Sequence, residues 1–388
     1  MNNKKVLFCA TVDYHFKAFH LPYLKWFQDQ GWEVHVAAEG SMSLPYTNKK
    51  FSIPIQRSPF RLSNFRACKQ LKDIIEQEQY RIIHCHTPLG GVLSRIAAKG
   101  IRKSGAKVLY TAHGFHFFKG APLVNWLYYP IERILSSQTD CLITINQEDY
   151  EFASKHLTQA RTLKHVRGVG VNMKKYRPLD EKEKWLRRSH FHYTEDQFLM
   201  IYVAEFNRNK NHQFLIQAFA HAKDELSGAR LLFAGEGPLL EKCIKLAEQL
   251  KVKDRIDFLG FRNDIDQLLP ICDIALSASL REGLPVNILE AMACGLPIIA
   301  TNNRGHRELI TANQNGFLIG VSQVKLFAKK LITLYGSVEL RERFSEHSLE
   351  FVQPFSLEHV RREMDEVYLH FMMEDTHATE NQYYRAYL

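Results

Sequence analysis

Short apolar runs alternate with longer amphipathic stretches along the whole chain. In the first half the apolar runs fall at 6–10, 33–38, 82–85, 107–111, 141–145 and 162–167, with a helical pattern through 21–30. In the second half they fall at 198–204, 230–234, 255–259, 274–277, 298–300 and 317–319. Short strands separated by helix-length segments predict parallel sheets covered by helices on both faces. Between the two sets, Gly168-Val-Gly-Val-Asn172 and a charged run to Lys184 mark a linker. The predicted division is therefore 1–175 and 176–355, two doubly wound α/β domains of the Rossmann type. A last amphipathic stretch, 356–373, carries Leu357, Val360, Met364, Val367, Tyr368 and Phe371 on one side. In such sheets ligands bind beyond the carboxyl ends of the strands.

Composition agrees with two globular domains, since 388 residues exceed what one core usually supports. The seven cysteines are scattered singly, without Cys-x-x-Cys spacing, and read as reduced thiols of a cytoplasmic protein. No charged segment followed by an apolar one opens the chain, and no run approaches the length of a membrane span. The net charge of +9 is concentrated in 57–72, where cations are interleaved with Phe60, Leu62 and Phe65, and in 95–107. Such a face rests on an anionic membrane surface or is simply solvated; no nucleic-acid motif accompanies it, so no nucleic acid is expected.

The densest chemistry lies in Arg281-Glu-Gly-Leu-Pro-Val-Asn-Ile-Leu-Glu-Ala-Met-Ala-Cys-Gly-Leu-Pro297. Pro285 suits a first helical position, and Gly295 with Pro297 suits the end. Free N–H groups near Leu284 to Asn287, lined by Gly283, Leu284, Pro285 and Val286, form an anion site fit for a diphosphate. Glu290 then reaches a ribose diol and Glu282 a sugar hydroxyl; an ordinary capped helix is the plainer alternative. In the loop 205–211, Lys210 and Arg208 offer charge to a leaving phosphate or to solvent. Gly235 follows a strand and leaves backbone room near a nucleotide. Asp264-Ile-Asp266 imitates a metal motif but reads as helix capping. The loop 11–17 lacks Gly-x-Gly-x-x-Gly, which disfavours a dinucleotide and leaves His15 free to face an acceptor. His84 and His86 share a strand face, with no third or fourth ligand spaced to join them, so no metal is expected. His86 reads as an acceptor-side or loop-anchoring group. The stretch 120–135 is apolar and aromatic; most of it reads as helix packing, with one edge left for a lipid-linked acceptor.

Glu282-Gly-Leu-Pro…Glu290-Ala-Met-Ala-Cys-Gly-Leu-Pro297, Ala300-Thr301 and Asn315-Gly-Phe-Leu318 resemble the donor site of retaining, GT-B-fold glycosyltransferases of family 4. Lys5–Pro22 and Tyr110–His116 resemble the EpsD and CapM type found in bacterial capsule and exopolysaccharide operons. The resemblance implies two domains facing across a closing cleft, with the last helix crossing back to the first domain. It implies that His113 faces the transferred sugar, that Lys210 is the phosphate lysine, and that the backbone of 259–262, Gly260 included, reads the base, with Phe261 or Arg262 stacking on it. Glu205 occupies the place of the family's phosphate arginine, for which Arg208 is the nearest substitute. The expected activity is transfer of a hexose or N-acetylhexosamine from a nucleotide sugar, UDP-linked, to an undecaprenyl-type lipid-linked saccharide at the inner membrane face, without a metal or other cofactor. A nucleotide-sugar epimerase and a non-catalytic sugar-nucleotide-binding partner are the alternatives.

Overall fold

The computed structural model describes residues 4–56, 58 and 61–386, with side chains through 373. The chain divides into two compact units, Met1–Val169 with Val360–Leu388, and Gly170–His359. The break thus falls between 169 and 170, ahead of the expected 175. Gly168 and Gly170 flank it with φ of +83° and +79°. At Gly170 a Cβ would lie 2.7 Å from Leu357 Cα, so only glycine fits this turn.

The first unit holds seven strands: β1 (Lys5–Val12), β2 (Glu33–Glu39), β3 (Lys49–Ser52), β4 (Ile82–His86), β5 (Lys107–Ala112), β6 (Cys141–Thr144) and β7 (Thr162–His165). Their order is β3-β2-β1-β4-β5-β6-β7, all parallel, and it reverses between β1 and β4. Period-two alternation sends Leu7 and Cys9 of β1 into one core and Val6, Phe8 and Ala10 into another across the sheet. The C-terminal helix Leu357–Ala386 adds Val360, Met364, Val367, Tyr368 and Phe371 to the second core. Leu357 is not among them; its N–H instead bonds the carbonyl of Val171.

One local expectation fails in this unit, and one strand has no sequence signal. The segment 11–17 is not an open loop, because β1 runs to Val12 and a helix Tyr14–Phe19 follows. Asp13 makes that turn rigid: its buried carboxylate accepts the Met42 N–H at 2.8 Å and the Lys50 ammonium at 2.5 Å. Strand β3 has no apolar signature, since it is a partly exposed edge that pairs with β2 alone and presents Lys49 and Lys50.

The second unit holds β8 (Phe198–Val203), β9 (Ala229–Ala234), β10 (Ile256–Phe258), β11 (Ile274–Ser277), β12 (Ile298–Thr301) and β13 (Gly316–Ile319). They run parallel in the order β10-β9-β8-β11-β12-β13, reversing between β8 and β11. Each sheet therefore has one switch point where the flanking loops diverge, the place where a doubly wound sheet opens a crevice.

Candidate active site

In the second unit the loops after β8 and β11 meet at the switch point. The Leu280 N–H bonds the Asn209 carbonyl at 2.8 Å, and Asn209 Nδ2 donates to the Arg281 carbonyl at 2.9 Å. Tyr202, at the heart of β8, places its hydroxyl 3.0 Å from the Lys210 carbonyl and 2.9 Å from Ser279 Oγ. These bonds hold Lys210 against Glu282, Nζ to Oε1 at 2.5 Å, both side chains mostly buried. From the loop after β12, Arg304 Nε donates to the Glu282 carbonyl at 3.3 Å, and a Cβ on Gly305 would lie 2.7 Å from that of Glu282. Asn303 caps the helix Arg304–Leu309 and also donates to the Ser279 carbonyl at 2.8 Å. Three loops thus fix one lysine–carboxylate pair.

The helix that follows is Val286–Ala293, and Pro285 is its N-cap, with ψ of 108°, rather than its first helical residue. The expectation misses by one position because Pro285 keeps extended backbone. Glu290 lies in the helix and has partners other than the lysine pair. It accepts a hydrogen bond from the Tyr176 hydroxyl, and Lys175 and Asp266 are near enough to act on its charge. Burial raises the Glu290 carboxyl to about 7, against the lowering effects of Tyr176 and Lys175.

In the first unit, five histidines gather at the carboxyl ends of β1, β4 and β5. His15 and His20 follow β1, His84 and His86 end β4, and His113 follows β5. His15 Nε2 and His20 Nε2 are 3.0 Å apart, and His86 Nδ1 and His113 Nε2 are 3.3 Å apart. His84 is spoken for, with Nδ1 2.8 Å from the Tyr368 hydroxyl and Nε2 2.8 Å from Thr111 Oγ1. Burial holds His113 down to about 4 and His84 to about 3. Burial and then neighbouring imidazoles hold His15, His20 and His86 well below the usual range. The expectation that no third or fourth histidine joins His86 is overturned: one ring nitrogen from each of His15, His20, His86 and His113 lies within 4.8 Å of the others.

Residues 183–351 match the family model described as Glycosyl transferases group 1, and residues 5–146 the one described as Glycosyl transferase 4-like. EpsD of Bacillus subtilis (strain 168) is 49% identical over 374 residues, spanning 96% of this chain and 98% of that protein. The chain belongs to the family 4 glycosyltransferases. The UDP-Gal:alpha-D-GlcNAc-diphosphoundecaprenol alpha-1,3-galactosyltransferase of Escherichia coli is 29% identical, spanning 73% of this chain and 74% of that one. Among solved structures, sucrose-phosphate synthase from Thermosynechococcus elongatus shares the fold at a TM-score of 0.78 and 17% identity, over 95% of this chain and 98% of that chain. The architecture of this glycosyltransferase is GT-B.

The other expected donor residues of the glycosyltransferase have varied surroundings. Arg208 lines a pocket of about 300 Å³ with Asn211, Lys242 and Leu280. The space that Gly235 leaves is not open to a nucleotide, because a Cβ there would lie 2.0 Å from the Ala204 carbonyl oxygen; the glycine serves close chain packing. Gly260 accepts the Gly235 N–H at 2.8 Å, which ties the loop after β10 to the loop after β9, and Phe261 beyond it is 61% exposed. Asp264 makes no cap hydrogen bond; it binds Arg262 at 2.8 and 2.5 Å, while Asp266 lies 3.4 Å from Lys175. Gly283 and Val286 are partly exposed, whereas Leu284 and Pro285 are buried. Of the basic stretches, Arg57, Pro59 and Phe60 lie outside the described residues, and two cations of the second stretch are held in ion pairs: buried Arg95 with Glu132 and partly exposed Arg102 with Asp140.

Tyr176 beside Glu290 in the second unit, and in the first unit Asp13 at the turn after β1 and His20 in the histidine group, were not singled out in the sequence. Tyr176 was hidden inside a run that reads as linker, and no spacing rule connects it to Glu290.

Proposed function

We propose that this glycosyltransferase transfers a hexose or N-acetylhexosamine, with retained anomeric configuration, from a UDP-sugar to a lipid-linked saccharide in exopolysaccharide assembly. The observation that carries this reading is the fixed Lys210–Glu282 pair at the second sheet's switch point, next to the N-terminus of Val286–Ala293. The donor's diphosphate takes Lys210 in exchange for Glu282, and Glu282 is released to a sugar hydroxyl. Backbone N–H groups of the helix's first turn and the positive end of its dipole receive the phosphate charge. Glu290, in its ionised form, accepts from the ribose hydroxyls.

In the reaction the bond from the sugar C1 to the β-phosphate oxygen breaks and a bond from C1 to the acceptor oxygen forms. The acceptor proton passes to the leaving phosphate, so no separate enzymic base is required. No metal ion takes part in this scheme; Lys210, with Arg208 from the same loop, stabilises the departing charge. In the first unit, His113 and His86 are the groups offered to sugar hydroxyls and the acceptor. The Escherichia coli relative's name, which gives a UDP-sugar donor and a diphosphoundecaprenol acceptor, supports both choices.

A lipid-linked acceptor brings the enzyme to a membrane, and the first unit has a surface suited to it. Leu123, Val124, Leu127, Ile131 and Ile134 are exposed on the consecutive helical segments Leu123–Leu127 and Tyr128–Ser136, where the sequence pattern pointed mostly to packing. Leu62 and Phe65 are exposed at the start of Ser63–Glu78, beside exposed Arg66, Lys69 and Lys72. Ser63–Glu78 and Tyr128–Ser136 both pack on Pro88–Ala97 and so belong to one helical layer. Apolar side chains amid cations are the signature of an interfacial surface on anionic lipid.

The deciding experiment offers a panel of nucleotide sugars with undecaprenyl-diphosphate-linked mono- and disaccharides and identifies products by mass spectrometry. Transfer from one UDP-sugar to a lipid-linked acceptor is the expected result. Turnover only with soluble acceptors, or only with another nucleotide, overturns the assignment.

A further inference from the structure

The histidine group is more than a set of acceptor contacts. Three separate strand ends deliver His15, His20, His86 and His113 to one spot at the first sheet's switch point. A buried imidazole is ordinarily satisfied at both nitrogens, one as donor and one as acceptor. Here His20 Nδ1 and His86 Nε2 are buried and have no hydrogen-bond partner. The contacts that do exist are nitrogen to nitrogen, His15 with His20 and His86 with His113, so within each pair one ring spends its N–H on the other. Four-coordinate zinc with nitrogen ligands, at Zn–N of about 2.0–2.1 Å in a tetrahedron, has neighbouring nitrogens roughly 3.3 Å apart. The His86–His113 separation is 3.3 Å, and the widest in the group is within 4.8 Å. Side-chain rotation of about an ångström closes the set.

We propose that His15, His20, His86 and His113 form a binding site for a divalent transition-metal ion, with Zn²⁺ the best fit. Imidazole is the ligand such ions prefer, and the absence of any carboxylate from the set disfavours Mg²⁺ and Ca²⁺, which take oxygen. His15 and His113 are only partly buried and give the ion its way in. Because the ion uses His113 Nε2, it competes with any sugar hydroxyl for that nitrogen.

The test uses the full chain freed of metal by chelator, titrated with Zn²⁺ alone against a competing chromophoric chelator. Wild type is expected to take one tight equivalent. His20→Ala and His86→Ala are expected to weaken it by more than about 100-fold, beyond what loss of a supporting hydrogen bond causes. Lys210→Ala, in the other unit, is expected to bind as wild type does. X-ray absorption of the loaded protein should show a nitrogen-only shell at about 2.0 Å. Should either buried variant fail to fold, judged by circular dichroism without metal, His15→Ala on the rim replaces it. Absence of a tight equivalent in wild type, or unchanged affinity in the histidine variants, overturns the proposal. Neither donor nor acceptor is needed for this readout, so its failure is distinct from failure of the transfer assignment.

Discussion

Glu290 and Lys210 make opposite demands on their surroundings, and each can be tested alone. Glu290 sits at about 7 instead of its ordinary 4.5 because burial disfavours the carboxylate more than Tyr176 supports it. Donor affinity should therefore strengthen as pH rises through about 7, where the group becomes able to accept from a diol. Fold stability runs the other way: the native state holds the extra proton between 4.5 and about 7, so this group's contribution is complete below 4.5 and is lost as pH rises to about 7. Tyr176→Phe removes a hydrogen bond to the carboxylate and should move the midpoint of donor KM against pH upward, while Glu290→Gln should flatten that profile. A Tyr176→Phe midpoint unchanged or lower would contradict the assigned contact. Lys210→Ala should lower kcat about 100- to 1,000-fold, the usual loss for one preorganised group on a developing oxyanion. Single-turnover kinetics would separate this from a donor-binding defect. At this scale the sequence was legible in local structure, placing Glu282 in a loop and Glu290 in the helix that follows. It was opaque where partners come from distant segments: 72 residues separate Lys210 from Glu282, and no local rule foretells that they meet as an ion pair.

Among the elements, the apolar strands declared themselves because both faces of each central strand are buried, which leaves uninterrupted hydrophobic runs. Those that stayed hidden are the ones whose residues answer to a neighbour. Strand β3 exists because β2 offers it a parallel edge, and Tyr14–Phe19 turns where it does because Asp13 is anchored by Lys50 and Met42. The helix Tyr128–Ser136 is a third case. Glu132, buried on it, receives Arg95 Nη1 at 2.8 Å and Nη2 at 3.1 Å, while the Arg95 guanidinium lies 4.0 Å from the centre of the Tyr110 ring. Glu132 thereby ties an element with an exposed apolar face to Pro88–Ala97 and β5. Glu132→Ala would strand a buried guanidinium and should cost about 3–5 kcal/mol, read as a lower urea midpoint. Replacement of both partners, Arg95→Met with Glu132→Leu, should recover most of that loss, since no uncompensated charge remains. If the double variant is no more stable than Glu132→Ala, the pair is not an isolated unit and the prediction fails.

For the molecule as a whole, the net charge of +9 and the apolar helical surface act at different ranges. No helix among the described residues is long and apolar enough to cross a membrane, so any hold on lipid through these elements has to be interfacial. Charge attracts from about a Debye length, roughly 10 Å at 0.1 M salt, and each cation near an anionic surface contributes about 1 kcal/mol. Apolar side chains act only on contact, but their contribution is insensitive to salt. Leu127 and Ile134, 67% and 68% exposed, have little native burial to lose. Leu127→Glu with Ile134→Glu should therefore leave the urea midpoint nearly unchanged and sharply reduce co-sedimentation with phosphatidylglycerol vesicles at both low and high salt. Arg66→Gln with Lys69→Gln should reduce binding at low salt and match wild type at high salt, where the long-range term is already screened. Transfer to a short-chain soluble acceptor should survive both pairs, since none of the four residues belongs to the Lys210–Glu282 site. Vesicle binding that ignores the apolar pair and follows salt alone would assign the surface to charge only and remove these helices from the membrane contact.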